Sequence, residues 1–257
     1  MKQYFDGNWQ TILAANNLDN FDALWDLKTD WFEPPNIRRG GWSGVVKIDL
    51  DTPQGKVGVF IKRQENHTTK TPRHPIKGRP TFEREFRNIH RLSKQKIPTL
   101  EPVYFGKRVH NSNLQAILIT KELSGYIPLD SERFLTRGDL IHDAAHKKRL
   151  LVTIANTLRL MHQHHFQHNC LYLKHIFVKP DGDDWDIKMI DLEKLKRTVF
   201  KKHAVTRDLV TLHRHSPGWT NKDSMMLFKA YVQEDTLSDQ SKQLWKLIEK
   251  KTLAKHQ

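Results

Sequence analysis

HQHHFQHNCLYLKHIFVK, residues 162–179, decides the fold. Upstream of it, KKRLLVTIANTLRLMHQHH sets Leu151, Ile154, Leu158 and Met161 on one helical face, so a long helix runs into the stretch. Four histidines (His162, His164, His165 and His168) crowd the end of that helix. Cys170 follows, the single cysteine of the chain. HIFVK then reads as a short strand, the turn PDGDD reverses the chain, and a second strand, WDIKMID, delivers Asp191. A helix, a polar loop, a hairpin and a terminal carboxylate come in that order within about fifty residues.

Working outward, residues 1–30 read as a helical N-terminal extension that ends near Trp31-Phe32-Glu33-Pro34-Pro35. Two β-rich runs follow, GVVKIDL and KVGVFIK, split by DTPQG. The basic, proline-spaced loop TPRHPIKGRP cannot be helical throughout. TFEREFRNIHRLSKQ predicts a helix with Thr81 as N-cap and Phe82, Phe86, Ile89 and Leu92 in register. EPVYFGKRV and LQAILITKEL predict two more strands. The tail is mainly helical, with Leu227, Phe228, Tyr231, Leu244, Trp245 and Ile248 as its expected core. Strands first and helices later predict an α+β chain: a small β-rich lobe over 31–122 and a mainly helical lobe over 123–257.

Composition narrows the partners. Forty-three Lys and Arg against 29 Asp and Glu leave a net charge of +14, which favours phosphate-rich ligands: nucleotide, phosphorylated glycolipid or an anionic membrane face. A basic, solvated surface with no ligand accounts for the charge equally well. Nucleic acid is the weaker expectation, since the chain has no C-x-x-C pair, zinc knuckle or RNP aromatic motif. One cysteine makes no internal disulfide and suits a reducing cytoplasm. No signal-peptide h-region opens the chain, and LQAILIT is far too short to span a bilayer. The clustered histidines offer a zinc alternative: His162/His165 and His164/His168 have helical metal-pair spacing, provided the helix continues that far.

Set beside the protein-kinase motifs, several segments align. Arg39-Gly40-Gly41-Trp42-Ser43-Gly44-Val45-Val46 matches G-x-G-x-x-G-x-V at Gly41, Gly44 and Val46, with Arg39 in place of the first glycine. Lys62 in VFIK stands where V-A-I-K carries the lysine that reaches nucleotide phosphates. Its partner on the next helix is Glu85, with Glu83 as the fallback. His168 takes the first position of H-R-D-L-x-x-x-N, Cys170 the position of the catalytic aspartate, and His175 that of the metal-binding asparagine. Asp191 opens DLE where D-F-G carries the Mg²⁺ ligand. Each piece alone has a plain structural explanation: a hairpin glycine, an exposed strand lysine, a small buried thiol, a turn aspartate. Together they occur in the right order. No A-P-E follows, so a long activation segment for a peptide substrate is absent, and Asp208 is placed to anchor the loop from the following helix.

Through DWFEPPNIRRGGWSGV, FIKRQENH, KGRPTFERE, HNCLYLKHIFVK and IDLEKLKR, the chain resembles the lipopolysaccharide kinase (Kdo/WaaP) family, and within it the InaA-type proteins. The resemblance implies a two-lobed protein-kinase-like fold and ATP-dependent phosphorylation of heptose or Kdo sugars of the lipopolysaccharide inner core. It implies a place in the cytoplasm, peripheral to the inner membrane. Lys62 and Glu85 become the nucleotide-positioning pair, Gly41 and Gly44 the glycine loop, and Asp191 and His175 the Mg²⁺ ligands. His168 and Cys170 fall at the catalytic positions. The active branches resemble H-x-D where this chain has H-x-C. The InaA-type H-x-C form therefore also implies the alternative: a stress-linked, catalytically impaired pseudokinase that binds nucleotide or serves as a scaffold. Arg73, His74, Lys77 and Arg79 are the basic residues expected to face phosphorylated glycolipid or an anionic membrane.

Overall fold

The structure is a computed structural model, and it describes residues 2–38, 40–71, 74–134 and 140–254. Arg39 and Arg73 lie outside those residues, as does the side chain of Lys77. The chain divides into two units, Met1–His90 with Leu100–Ser124, and Arg91–Thr99 with Gly125–Gln257.

The first unit is built on a six-stranded antiparallel sheet. Its elements are β1 (Lys2–Phe5), α1 (Trp9–Ala15), α2 (Phe21–Asp26), β2 (Trp31–Arg38), β3 (Gly41–Thr52), β4 (Gly55–Glu65), β5 (Thr68–Thr71), β6 (His74–Pro80), α3 (Thr81–Lys94), β7 (Pro102–His110) and β8 (Asn113–Lys121). The sheet order is β1-β7-β8-β4-β3-β2, with β5 and β6 as a separate hairpin. Alternation places Val46, Leu50, Val59, Ile61, Ile117 and Ile119 on the covered face, each at most 1% exposed. Residues 2–27, expected as an extension, belong to this core. β1 pairs with β7, and Trp9, Leu13, Leu18, Phe21 and Leu24 cover the sheet. Arg63 pins them from β4: its guanidinium donates to the carbonyls of Trp25 (2.6 Å) and Leu27 (3.0 Å) and lies over the Trp31 ring.

The stretch through Pro34 and Pro35, where the extension was expected to end, is a strand. It lies at the sheet edge, where a missing N–H costs no ladder bond, and its register breaks around both prolines. Thr81 is the first residue of α3, and its hydroxyl donates to Gln64 Oε1 (2.9 Å). The same Gln64 oxygen accepts the Phe82 N–H at 2.9 Å. A side chain from β4 therefore satisfies the start of the helix.

The second unit contains β9 (Ile127–Pro128), α4 (Ala144–Gln163), β10 (Phe166–Gln167), β11 (Ile176–Asp181), β12 (Asp184–Met189), β13 (Lys196–Arg197), α5 (Lys201–Arg214), α6 (Asn221–Val232) and α7 (Asp239–Leu253). α4 starts on Asp143, whose side chain accepts the His146 N–H, and it packs on α6 and β12 through the predicted face. Leu151, Ile154, Leu158 and Met161 are all buried. α6 opens with a Thr220/Asp223 capping box, and Asp223 also takes Lys147 of α4 at 2.8 Å. Of the expected tail core, Leu227, Phe228, Tyr231 and Ile248 are buried, whereas Leu244 and Trp245 are half-buried.

Candidate functional site

In the first unit, Lys62 lies on β4 between Val45 of β3 and Leu118 of β8, three residues before the strand ends. Its ammonium reaches Glu85 Oε1 of α3 at 2.7 Å. The fallback partner is otherwise engaged. Glu83 receives Lys107 (2.6 Å) and Arg87 (2.9 Å), with Arg79 at 3.7 Å. Burial raises the Glu83 carboxyl pKa, but the Lys107 bond and the surrounding cations outweigh it and hold the group below its ordinary value. Helical spacing separates the two glutamates because positions 83 and 85 point about 200° apart around α3.

Gly41 and Gly44 sit in β3 itself. A Cβ at Gly41 would run into the Glu65 carbonyl of β4, and one at Gly44 would stand 2.7 Å from the Trp31 ring. Close packing inside the sheet demands both glycines, independently of any phosphate. Of the expected basic surface, His74 is exposed and Arg79 is turned toward His74 and Glu83.

In the second unit, α4 ends at Gln163 and His165 turns left-handed (φ 62°), so the histidine pairs lose their helical spacing. Two of the four, His162 and His168, instead serve as internal struts, while His165 is exposed. His162, fully buried, bonds Tyr231 through Nδ1 (3.0 Å) and Asp208 through Nε2 (3.2 Å). The carboxyl group accepts from Nε2–H, which in the neutral form of the ring leaves Nδ1 to accept the Tyr231 hydroxyl. Asp208, on α5 and also fully buried, further accepts the N–H groups of His168 (2.7 Å) and Asn169 (3.0 Å). It anchors the loop.

His168, expected among the catalytic groups, is fully buried, and its Nε2–H donates to the Ile190 carbonyl at 3.0 Å. A ring with no exposed surface touches no substrate, so His168 is a positioning residue that ties the loop to the residue before Asp191. Burial depresses its pKa and keeps it neutral, with Nδ1 buried and unpartnered. Asn169 holds the left-handed turn (φ 68°) and donates from Nδ2 to the Lys194 carbonyl at 2.8 Å.

Cys170 is buried and unpaired. Burial pushes its thiol pKa up; Lys194, which hydrogen-bonds the sulfur, pulls the other way and does not win. The thiol is therefore un-ionised at neutral pH and has little capacity as a base. Its backbone carbonyl accepts His175 Nδ1–H at 2.8 Å. That commits the other nitrogen: in the neutral form of the ring Nε2 carries the lone pair, and it faces Asp191 Oδ2 at 3.4 Å. Two acceptors facing each other repel unless a proton or a metal ion comes between them. Asp191 is in the left-handed region (φ 55°, ψ 54°), a conformation that costs a non-glycine residue energy and that concentrates at functional sites.

Lys62 and Glu85 thus come together in one unit, and His168, Cys170, His175 and Asp191 in the other. Sequence reading missed Lys194, Asn169 and the His162–Tyr231 buttress of Asp208. Only Lys194 left a trace, as the fourth residue of DLEK.

The chain is 29% identical over 205 residues to Protein InaA of Escherichia coli K12, covering 79% of this chain and 91% of that one. It is 28% identical over 228 residues to the lipopolysaccharide core heptose(I) kinase WaaP of the same organism, covering 83% of this chain and 81% of that one. Among solved structures, WaaP in complex with acyl carrier protein superposes with a TM-score of 0.69 at 19% identity over 99% of each chain, which gives a protein-kinase-like fold. The model of the lipopolysaccharide kinase (Kdo/WaaP) family matches residues 22–231, and the chain belongs to that family.

Proposed function

We propose that this protein binds Mg·ATP and passes the terminal phosphoryl group to a sugar hydroxyl of the lipopolysaccharide core, slowly, without a general base at position 170. The Lys62–Glu85 pair carries the reading. Glu85 is 3% exposed, and a desolvated ion pair is a poor device for stability, often no better than apolar residues of the same volume. Such a pair is explained by the job of holding an ammonium where nucleotide phosphates arrive.

Asp191 and His175 would hold the metal. Magnesium keeps several waters and takes one or two carboxylates plus phosphate oxygens, so one carboxylate beside a committed imidazole lone pair suits it. When bound, the ion neutralises charge on the transferring phosphoryl group. Cys170, un-ionised, leaves the acceptor proton to depart late. Phosphoryl transfer tolerates this, because positioning and charge dominate and a general base contributes only about 10²–10⁴-fold. No helix among the described residues is long and apolar enough to cross a membrane, and a glycolipid acceptor would be met by peripheral contact on the cytoplasmic side of the inner membrane. The same un-ionised thiol favours a second reading, nucleotide binding without transfer.

Thermal unfolding with and without Mg·ATP is the test, together with transfer of labelled phosphate to core lipopolysaccharide. At about 100-fold over Kd, nucleotide should add about 2.7 kcal/mol to native stability, and Lys62→Ala or Asp191→Ala should abolish the gain. Cys170→Asp should raise transfer by roughly 10²-fold or more. No shift in the wild type removes the nucleotide reading. A shift with no transfer, in wild type and Cys170→Asp alike, leaves the second reading standing.

A further inference from the structure

Between Asp191 and α5, Val199 and Phe200 stand with 85% and 73% of their surface exposed. Two adjacent apolar side chains left in water forgo the stabilisation of burial, so their display asks for a reason. The tip is held in place. The Thr198 N–H donates to the His165 carbonyl (2.9 Å), and the Phe200 N–H donates to Thr198 Oγ1 (3.2 Å). The Phe200 carbonyl accepts the N–H groups of His203 (3.1 Å) and Ala204 (3.2 Å). Leu195 on one side and Ala204 and Val205 on the other are buried and anchor the segment.

Cations flank the tip on both sides. Lys196 and Arg197 precede it, Lys201, Lys202 and His203 follow it, and all five are exposed. From residue 194 to residue 207 the chain has no acidic side chain. Lys196, Arg197, Lys201 and Lys202 form no side-chain ion pair among the described residues. Lys201 and Lys202 also sit at the positive end of the α5 dipole, in a first turn without an acidic residue. Phe200 borders a cavity of about 790 Å³ whose lining adds Arg207, Arg214 and Lys251 and no acidic residue. An anionic surface compensates such charge. A bilayer interface answers both halves of the pattern: cations stay at the headgroups while a short apolar tip enters the acyl boundary. A phosphate or a nucleic-acid backbone would gain nothing from Val199, and a protein partner would have to supply a pocket for a projecting tip. The β5–β6 hairpin also exposes an apolar side chain, Ile76, but its Arg79 is committed to Glu83 and His74.

We infer that residues 196–203 dock the protein on an anionic phospholipid bilayer, with Val199 and Phe200 inserted and Lys196, Arg197, Lys201 and Lys202 on the headgroups. Such docking deepens the peripheral contact proposed above and rests on that part of the reading alone; it needs no bound nucleotide. It also gives the contact a place in the chain. The docking segment is tied to the 165–176 loop twice, by Asn169 Nδ2 donating to the Lys194 carbonyl and by the Thr198 N–H donating to the His165 carbonyl. A bilayer would therefore steady, through this segment, the loop that carries Cys170 and His175.

Vesicle co-sedimentation of the full chain tests it, with phosphatidylcholine alone against phosphatidylcholine carrying about a third phosphatidylglycerol. Wild type should bind the anionic vesicles at least tenfold more tightly. On them K201Q/K202Q should lose about 25-fold, at about fivefold per lysine, and V199S/F200S at least tenfold, while the surface control Lys242→Gln changes nothing. Urea midpoints of both double variants should match wild type, because all four side chains are exposed. Equal binding of the two vesicle types by wild type overturns the docking, as does full binding by V199S/F200S. The Mg·ATP shift of the same proteins separates the two ideas. Vesicle binding lost in both double variants, with no nucleotide shift in wild type, keeps the surface and sinks the kinase reading; a normal shift with no vesicle binding does the reverse.

Discussion

Replacing Asp208 by alanine should loosen the 165–176 loop more than any other single substitution in the second unit. Three donors converge on its buried carboxyl group: the His168 N–H at 2.7 Å, the Asn169 N–H at 3.0 Å and His162 Nε2–H at 3.2 Å. A buried donor left without a partner costs about 1–3 kcal/mol. The three share one acceptor and do not add, so the loss should be about 3–5 kcal/mol, the range for breaking a buried charged contact. Against a typical total of about 5–15 kcal/mol that is severe. Asp208→Asn keeps the shape and one acceptor oxygen and should lose about 1.5–3 kcal/mol. Urea unfolding gives the global figure. Hydrogen exchange over residues 165–176 gives the local one, where 3–5 kcal/mol means opening about 100-fold to about 4,000-fold more frequent, at about 1.4 kcal/mol per tenfold. If Asp208→Ala cost under about 1 kcal/mol and left those amides protected, the loop would not be anchored as described.

Two further predictions separate neighbours that resemble each other. Glu83→Gln should lower stability by about 1.5–3 kcal/mol and leave the Mg·ATP shift intact, because its carboxylate serves Lys107 and Arg87. Glu85→Gln should weaken nucleotide binding at least tenfold; urea midpoints and Mg·ATP titration of both variants decide, and exchanged phenotypes would contradict the pairing. Acid should destabilise the protein through His146, His168 and His213, whose pKa values burial depresses in the folded state. The unfolded chain then binds more protons, so their contribution is full above about pH 6.5 and falls as pH drops. The slope is at most about 1.4 kcal/mol per pH unit for each. Unfolding midpoints between pH 7 and 5 should fall less steeply in the His146→Gln, His213→Gln double variant, which keeps only the His168 share, and an unchanged slope would refute the assignment.

Much of the architecture was legible because its signals are local. The α4 stripe, the β11–β12 hairpin and the VFIK strand end each declare themselves within a dozen residues, and Glu85 could be preferred to Glu83 from helical phase alone. What stayed hidden depends on distant partners. Gln64 does the capping expected of Thr81, from seventeen residues upstream in β4. Pro34 and Pro35 argue against a strand until the sheet shows that β2 is an edge. The glycines at 41 and 44 fit a phosphate loop in sequence, yet the Glu65 carbonyl and the Trp31 ring already account for them. The histidines after Met161 suggest a metal cluster until the helix ends at Gln163, with His162 bonded to Tyr231 and Asp208, His168 to the Ile190 carbonyl, and His165 exposed.

The pairing of β1 with β7 has a temporal side. Lys2 lies opposite Lys107 and Phe5 opposite Tyr104, so the segment made earliest in its sheet finds its hydrogen-bonding partner roughly a hundred residues later. At ribosomal speeds of about 5–20 residues per second, that is an interval of about 5–20 s. Throughout it, Trp9, Leu13, Phe21 and Leu24 have no completed sheet to cover. A nascent chain of this protein therefore offers a sticky amino-terminal segment to holdase chaperones for seconds. Slowing translation upstream of β7 should lower its soluble yield more than slowing it afterwards.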